Sequence, residues 1–344
     1  MKIKLGEALR YEQPTKYIVA SEKYNDSYAT PVLTAGKSFI LGYTNEESGI
    51  YDNLPVIIFD DFTTDIKYVD FPFKVKSSAM KMLQPANENY NLKFFYYLIK
   101  YMNFQPTSHQ RHWISKFAEM EFDIPERVKQ DQIVEKLDKL VEMQSKKTTQ
   151  LKKYDDLVKS QFIEMFGDRF DKEKIKISDI ASATIGLTYK PENVSNTGTI
   201  ILRSGNIQNN ELQIQNDIVR VENIKIPENK FIKENDILMC SRNGSARLVG
   251  KSCLISNLKE PISFGAFMTV IRTEYPYFLQ GFFCSDYFKK QLTGVSTTSV
   301  NQITTCMLNN YSVIRPTQEE ENQFADFVKH IDKLKYNDVL MEVA

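Results

Sequence analysis

The sequence predicts two mixed α/β domains of similar build, with an antiparallel pair of long helices between them and a pseudo-two-fold relation. Three observations predict this architecture. First, the chain repeats itself: residues 125–137 read PERVKQDQIVEKL and residues 316–328 read PTQEEENQFADFV, each with a proline seven positions ahead of Gln132 or Gln323. A period near 190 residues is too long for a solenoid unit, so each copy is a whole domain. Second, residues 126–166 contain no Gly or Pro and follow Pro125, a residue suited to the first turn of a helix. Third, short apolar runs alternate with a few helical stretches on both sides of that segment, the pattern of a mixed α/β domain. The implied boundaries are 1–124 for the first domain, 125–167 for the central helix, 168–315 for the second domain and 316–344 for a C-terminal helix.

Taken in order, the two domains match loosely. KLGEAL (residues 4–9) resembles KISDIA (176–181), each a short capped segment. PVLTAG (31–36) and ILRSG (201–205) are apolar runs ending in glycine. LPVIIF (54–59) and DILMCS (236–241) are candidate central strands, followed by the polar turns DDFTTD and RNGSAR. SSAMKML (77–83) and AFMTVIR (266–272) supply another strand pair. The aromatic segments NLKFFYYLIKYM and FLQGFFCSDYFKKQL carry their rings at helical spacing, which makes them core and not base-stacking platforms. Each domain closes on a polar stretch before its proline.

The central helix carries apolar residues at Ile133, Leu137 and Leu140, skips Gln144 and Lys147, then resumes at Leu151, Tyr154 and Val158. That spacing is a heptad seam, on a rod of roughly 60 Å at 1.5 Å per residue. The C-terminal segment continues the seam with Phe324, Val328 and Ile331, then polar Lys335 and Asp338. Neither stripe buries itself alone, so the helices are expected to pair antiparallel within the chain, with dimerisation through the seam as the rival arrangement. Val141, Met143, Leu157 and Ile163 lie beside the seam and exceed what one partner helix covers.

Composition excludes several classes. The four cysteines (Cys240, Cys253, Cys284, Cys306) all lie in the second half and form no C-x-x-C pair, so reduced, packed thiols are expected. The segment MKIKLGEAL has no apolar signal core, and no run approaches about 20 apolar residues; the expected location is cytoplasmic, with no membrane partner. Net charge is zero, but residues 168–315 carry +4 and residues 316–344 carry −4, a balance suited to local basic patches and not to indiscriminate polyanion binding.

No catalytic constellation emerges. His109 and His112 have no third ligand nearby, so no metal is expected. Asp60, Asp61 and Asp65 lack the companion residues of an acidic nuclease cluster and read as a solvated turn. Phosphate-cradling and nucleophile-elbow motifs are missing, so the chain is expected to be no enzyme. Binding chemistry is better represented. The loop Ser241-Arg242-Asn243-Gly244-Ser245-Ala246-Arg247 carries guanidinium and amide groups able to grip guanine and adenine edges, unless it is only a turn in which Gly244 supplies positive φ. Arg203, Ser204 and Asn206 offer a second edge, and Thr298, Asn301 and Gln302 a third. In the first domain the candidates are Lys37, Thr63, Thr64, Lys67, Lys76, Gln110, Arg111, His112 and Lys116.

The order of domain, long helix, domain and second helix, the proline-led helix starts, and LKKYDDLVKSQFIEMFGD (residues 151–168) together resemble the specificity subunits of type I restriction–modification systems. ILRSGNI and DILMCSRNGSARLVGKSCLI resemble the recognition-domain scaffold of that family; LPVIIFDDFTTDIKYVDFPF departs from it, lacking the glycine of the second copy. The resemblance implies a non-catalytic subunit whose two domains each read half of a bipartite double-stranded DNA target. Its paired helices would set the spacer and dock two methyltransferase subunits, with motor-nuclease subunits joining for restriction. S-adenosylmethionine, ATP and magnesium would sit on those partners and not on this chain. The competing reading is a coiled-coil scaffold whose two domains bind proteins or RNA; a nuclease fused to a recognition domain is disfavoured by the missing catalytic residues.

Overall fold

The computed structural model describes residues 2–36, 38–102, 104, 111–215, 218–292 and 301–340. The chain divides into two compact units, residues 1–146 and 147–344.

The first unit is built on a four-stranded antiparallel sheet in the order Leu9–Glu12, Met80–Pro85, Val56–Asp60, Ile66–Val69. Val56 to Phe59 are all fully buried, as a strand covered on both faces must be. Ile57 and Phe59 point into a core shared with Phe94, Phe95, Trp113 and Phe117. Val56 and Ile58 point the other way, toward Tyr51, Phe73, Val75 and Met82. That second face is closed by a three-stranded sheet, Ile40–Thr44, Thr30–Leu33 and Lys74–Val75. The aromatic helix Leu92–Tyr101 covers the first face, started by Asn91, whose side chain accepts the N–H groups of Lys93 and Phe94.

The second unit repeats this plan. Its central sheet runs Ala181–Ile185, Met268–Thr273, Ile237–Cys240, Ser252–Leu254. Ile237, Met239 and Ile271 face the aromatic helix Pro276–Cys284. Leu238, Cys240 and Val270 face the core closed by a second sheet, Val194–Ser195, Val219–Val221, Thr199–Leu202, Ile262–Phe264. The duplication extends to single hydrogen bonds. Leu5 N–H donates to Met120 O and Ile177 N–H to Tyr311 O, both at 3.0 Å. Lys4 N–H is received by Glu7, as Lys176 N–H is by Asp179. Ile57 pairs with Leu83 as Ile237 pairs with Ile271. Asp61 O accepts from His112 N–H at 2.9 Å, and Ser241 O from Ile303 N–H at 2.8 Å. The match between SSAMKML and AFMTVIR is therefore one residue out of register, since by strand pairing Leu83 corresponds to Ile271 and not to Arg272.

One unbroken helix, Arg127–Phe166, supplies residues to each unit. In the first unit it packs through Gln130, Val134 and Asp138. Val134 is buried in the aromatic core, with Ile133 beside it. Asp138 takes a 2.5 Å hydrogen bond from Tyr97 and a 2.8 Å ion pair from Lys93. In the second unit the helix runs antiparallel to the C-terminal helix Gln318–Leu340. Asp338 accepts from Gln150 and Tyr154 at 2.6 and 2.9 Å, Lys335 meets Asp155 at 2.7 Å, and Phe324 packs edge-on against Phe162 and Phe166. The expected intramolecular seam thus forms where Tyr154, Val158, Phe324 and Val328 were placed. Its polar skips, Lys335 and Asp338, are filled by an ion pair and hydrogen bonds. Leu151 is half-buried and Ile331 is 4% exposed. The three N-terminal seam positions differ from expectation: Ile133 packs on the first unit's core, Leu137 is half-buried there, and Leu140 is 60% exposed.

The prolines of the repeat position a different residue from the glutamine singled out above. Gln132 and Gln323 are exposed, whereas Gln130 and Glu321, five residues after Pro125 and Pro316, are buried. Gln130 Oε1 accepts Asn91 N–H at 2.8 Å while its Nε2 donates to Asn89 O and Pro125 O. Glu321 accepts the N–H groups of Tyr277 and Phe278 at 2.9 and 2.8 Å. Each copy thus sends one buried acceptor to the start of its unit's aromatic helix, meeting N–H groups that a helix leaves unsatisfied.

Candidate nucleic-acid interface

In the second unit the loop after the central strand is held by pairing. Arg242–Asn243 forms an antiparallel ribbon with Asn301–Gln302, Arg242 opposite Gln302 and Asn243 opposite Asn301. Asn301 Nδ2 donates to Gly244 O at 3.2 Å. Asn243 Nδ2 donates to Ser204 Oγ at 3.1 Å, while its Oδ1 accepts Ser245 N–H at 3.0 Å. Lys251 Nζ donates to Ser204 O at 3.3 Å. The structure therefore brings Ser204, Arg242, Asn243, Ser245, Asn301 and Gln302 onto one edge. Arg247 is exposed on the following turn, and half-buried Arg203 precedes Ser204. The Gly244 backbone does not have positive φ, and a side chain there would meet nothing within 4 Å, so positive φ does not explain this turn.

Asn206 belongs elsewhere. It is 1% exposed, with Oδ1 accepting Arg203 N–H at 2.8 Å and Nδ2 donating to Gln213 O at 3.1 Å. Its amide shapes the turn beneath the edge and is not available to a base, which corrects its place among the contact candidates.

In the first unit the corresponding turn is closed by Asp60, whose Oδ1 accepts the N–H groups of Phe62 and Thr63 at 2.9 and 2.8 Å. Thr64 takes φ 62° and donates its hydroxyl to Phe104 O at 3.4 Å, and the Lys116 ammonium lies 4.4 Å from the Phe104 ring. Thr63, Arg111 and Lys116 are exposed. His112 is 1% exposed, its ring edge-on to Phe104 at 5.7 Å, so it is a core residue and not a contact residue. Lys67 lies 6.0 Å from the Phe39 ring, and Lys76 is ion-paired with Glu22. Lys37, Gln110 and Thr298 fall outside the described residues. Asp61 also departs from expectation: it is fully buried, not part of a solvated turn.

Phe267 was missed. It is 57% exposed, with the Arg242 guanidinium 5.2 Å from its ring centre. Its carbonyl accepts from Ser241 N–H and Oγ at 3.0 Å and from Arg242 N–H at 3.1 Å, which fixes it at the centre of the edge. In the sequence it opens an apolar strand and reads as core. Among the described residues, no group of three or more His, Cys, Asp or Glu is placed to hold a metal ion, and no helix is long and apolar enough to cross a membrane.

No family model matches the chain. A specificity subunit of the Escherichia coli type I restriction enzymes EcoR124I/EcoR124II is 48% identical over 159 residues, covering 43% of this chain and 39% of that protein. The StySPI type I specificity subunit of Salmonella potsdam is 27% identical over 158 residues, covering 44% and 34%. The crystal structure of a type I restriction–modification S subunit from M. genitalium superposes with a TM-score of 0.62 at 14% identity, over 99% of this chain and 91% of that one. Over the matched residues the sequence is similar to type I restriction enzyme specificity subunits, and the fold is that of the M. genitalium S subunit. The matches to these curated relatives span only about two fifths of their length or less. In the second unit exposed Arg242 and Arg247 and half-buried Ser245 follow the central strand, and in the first unit exposed Thr63 and half-buried Thr64 follow it.

Proposed function

We propose that this chain is the non-catalytic DNA-specificity subunit of a type I restriction–modification complex, each unit reading one half of a divided target. The observation that carries the proposal is the duplicated reading edge. In both units the residue after the central strand (Asp61, Ser241) accepts an N–H from the segment that closes the domain (His112, Ile303), which sets polar side chains beside that strand end. The second unit's edge carries Arg242 and the amides of Asn243, Asn301 and Gln302, with Arg247 exposed on the next turn, group types suited to contact with guanine and adenine in the major groove. The antiparallel helices set the number of unread base pairs between the halves. Lengthening them by one turn would add about 5.4 Å with little change of facing. Two methyltransferase subunits dock around the helices and carry S-adenosylmethionine; motor-nuclease subunits with ATP and magnesium join for restriction. Val141, Met143, Leu157 and Ile163, each 48–55% exposed on the long helix, support such docking.

The test is a methylation map of cells that carry the chain with its methyltransferase partner. A split adenine-methylated motif should be present and should vanish on deletion of this chain. Exchange of residues 168–315 for those of a relative should change one half of the motif only; a change in both halves would refute modular reading.

A further inference from the structure

Beneath the first unit's edge lies a charge pair that the second unit does without. Lys81 is 0% exposed, with its ammonium 3.3 Å from Asp61 Oδ2, 3.1 Å from Gln13 Oε1 and 5.3 Å from the centre of the Tyr11 ring. Asp61 also holds the segment that follows: its carbonyl accepts His112 N–H at 2.9 Å and its Oδ1 accepts Trp113 N–H at 2.8 Å. One buried carboxylate thus joins the central strand, the neighbouring strand and the start of the short helix His112–Ser115, which lies between exposed Arg111 and Lys116.

The internal repeat supplies a control. By strand register, Asp61 corresponds to Ser241 and Lys81 to Thr269, since Phe59 stands opposite Lys81 as Met239 stands opposite Thr269. Ser241 donates its hydroxyl to Phe267 O, and the same strand architecture forms with no charge at either position. A buried ion pair carries a desolvation cost that its attraction often only matches, so it is a poor way to hold a strand pairing that forms in the second unit with an uncharged serine and threonine. Its best-attested use is to enforce one arrangement among several.

Resting on the specificity-subunit reading, we infer that Lys81 and Asp61 are positioning residues of the first recognition unit, fixing the Arg111–Lys116 segment against the Thr63–Thr64 turn so that one half-site is read in a single register. The test gives the first unit the second unit's solution, Asp61→Ser with Lys81→Thr, in the full chain with its methyltransferase partners. Methylation rates are measured on the cognate site and on sites with one base changed in either half, alongside thermal unfolding. The expected result is a folded protein whose discrimination falls by about tenfold or more in one half and stays within about twofold in the other. Unchanged discrimination in both halves would overturn the inference, as would loss in both. Failure of the variant to fold would also overturn it, because the pair would then be structural. If the unmodified chain itself directs no split motif, the functional reading fails, and that outcome is distinct from the others.

Discussion

Replacing Glu321 tests whether the repeated prolines matter because of the residue five positions on. Glu321 is 3% exposed and receives two backbone N–H groups at the start of Pro276–Cys284, at 2.9 and 2.8 Å. Burial pushes its carboxyl pKa up, against the pull of those two donors. Glu321→Ala strands both N–H groups beside Phe278, at about 1–3 kcal/mol each. Relief of the buried carboxylate returns part of that, leaving a net loss of about 2–3 kcal/mol. For a unit of this size each kcal/mol moves the midpoint by about 2–4 °C, so the second unit should melt roughly 4–12 °C lower. Glu321→Gln keeps one acceptor and should lose about half as much. Calorimetry of the full chain supplies the midpoints, and hydrogen exchange at the Tyr277 and Phe278 amides localises the effect. An alanine variant within about 0.5 kcal/mol of the parent, or amides that stay protected, would refute the capping argument.

Three further outcomes are expected. Phe162→Ala removes a ring 1% exposed and packed against Phe166, Phe278 and Phe324, and should destabilise the second unit by about 3–5 kcal/mol in denaturant titration; a loss below 1 kcal/mol would contradict that packing. Phe267→Ala should leave stability within about 0.5 kcal/mol, since the ring is 57% exposed, yet relax base discrimination in one half of the methylated motif; an unchanged motif would remove Phe267 from the reading edge. Thiol alkylation of the native protein should modify Cys306 first, because it is exposed, while burial seals Cys240 and Cys253 and pushes the Cys253 thiol up to about 12; equal labelling of all four would contradict the fold.

How far the sequence could be read follows from what apolar counting detects. The repeat, the strand alternation and the seam from Leu151 onward are patterns of apolar residues, and they were legible. The first half of the long helix was not, because the stripe that packs on the first unit is buried Gln130, buried Val134 and half-buried Asp138, four residues apart and mostly polar. Gln130 is spent on backbone groups, and Asp138 on Tyr97 and Lys93. An apolar template instead selects Ile133, Leu137 and Leu140, the last of them exposed. Buried polar side chains leave the same composition as surface ones, so the sequence reads Asp61, His112 and Asn206 as surface residues for the same reason that it does not mark Gln130 as buried.

The same principle runs in reverse at Phe267, a large ring outside the core that nothing in its neighbourhood of the sequence marks. Its place is set by three hydrogen bonds to its carbonyl, and a backbone acceptor is independent of side-chain identity. Strand ends held in this way can exchange side chains without altering the strand. In the first unit the position corresponding to Phe267 is Ala79, whose carbonyl accepts Asp61 N–H at 2.9 Å, just as Phe267 O accepts Ser241 N–H. Side chains as different as phenylalanine and alanine therefore occupy one site on one scaffold. A protein that must change what it reads while keeping its fold is served by such positions, where the backbone carries the structure and the side chain is left to the ligand.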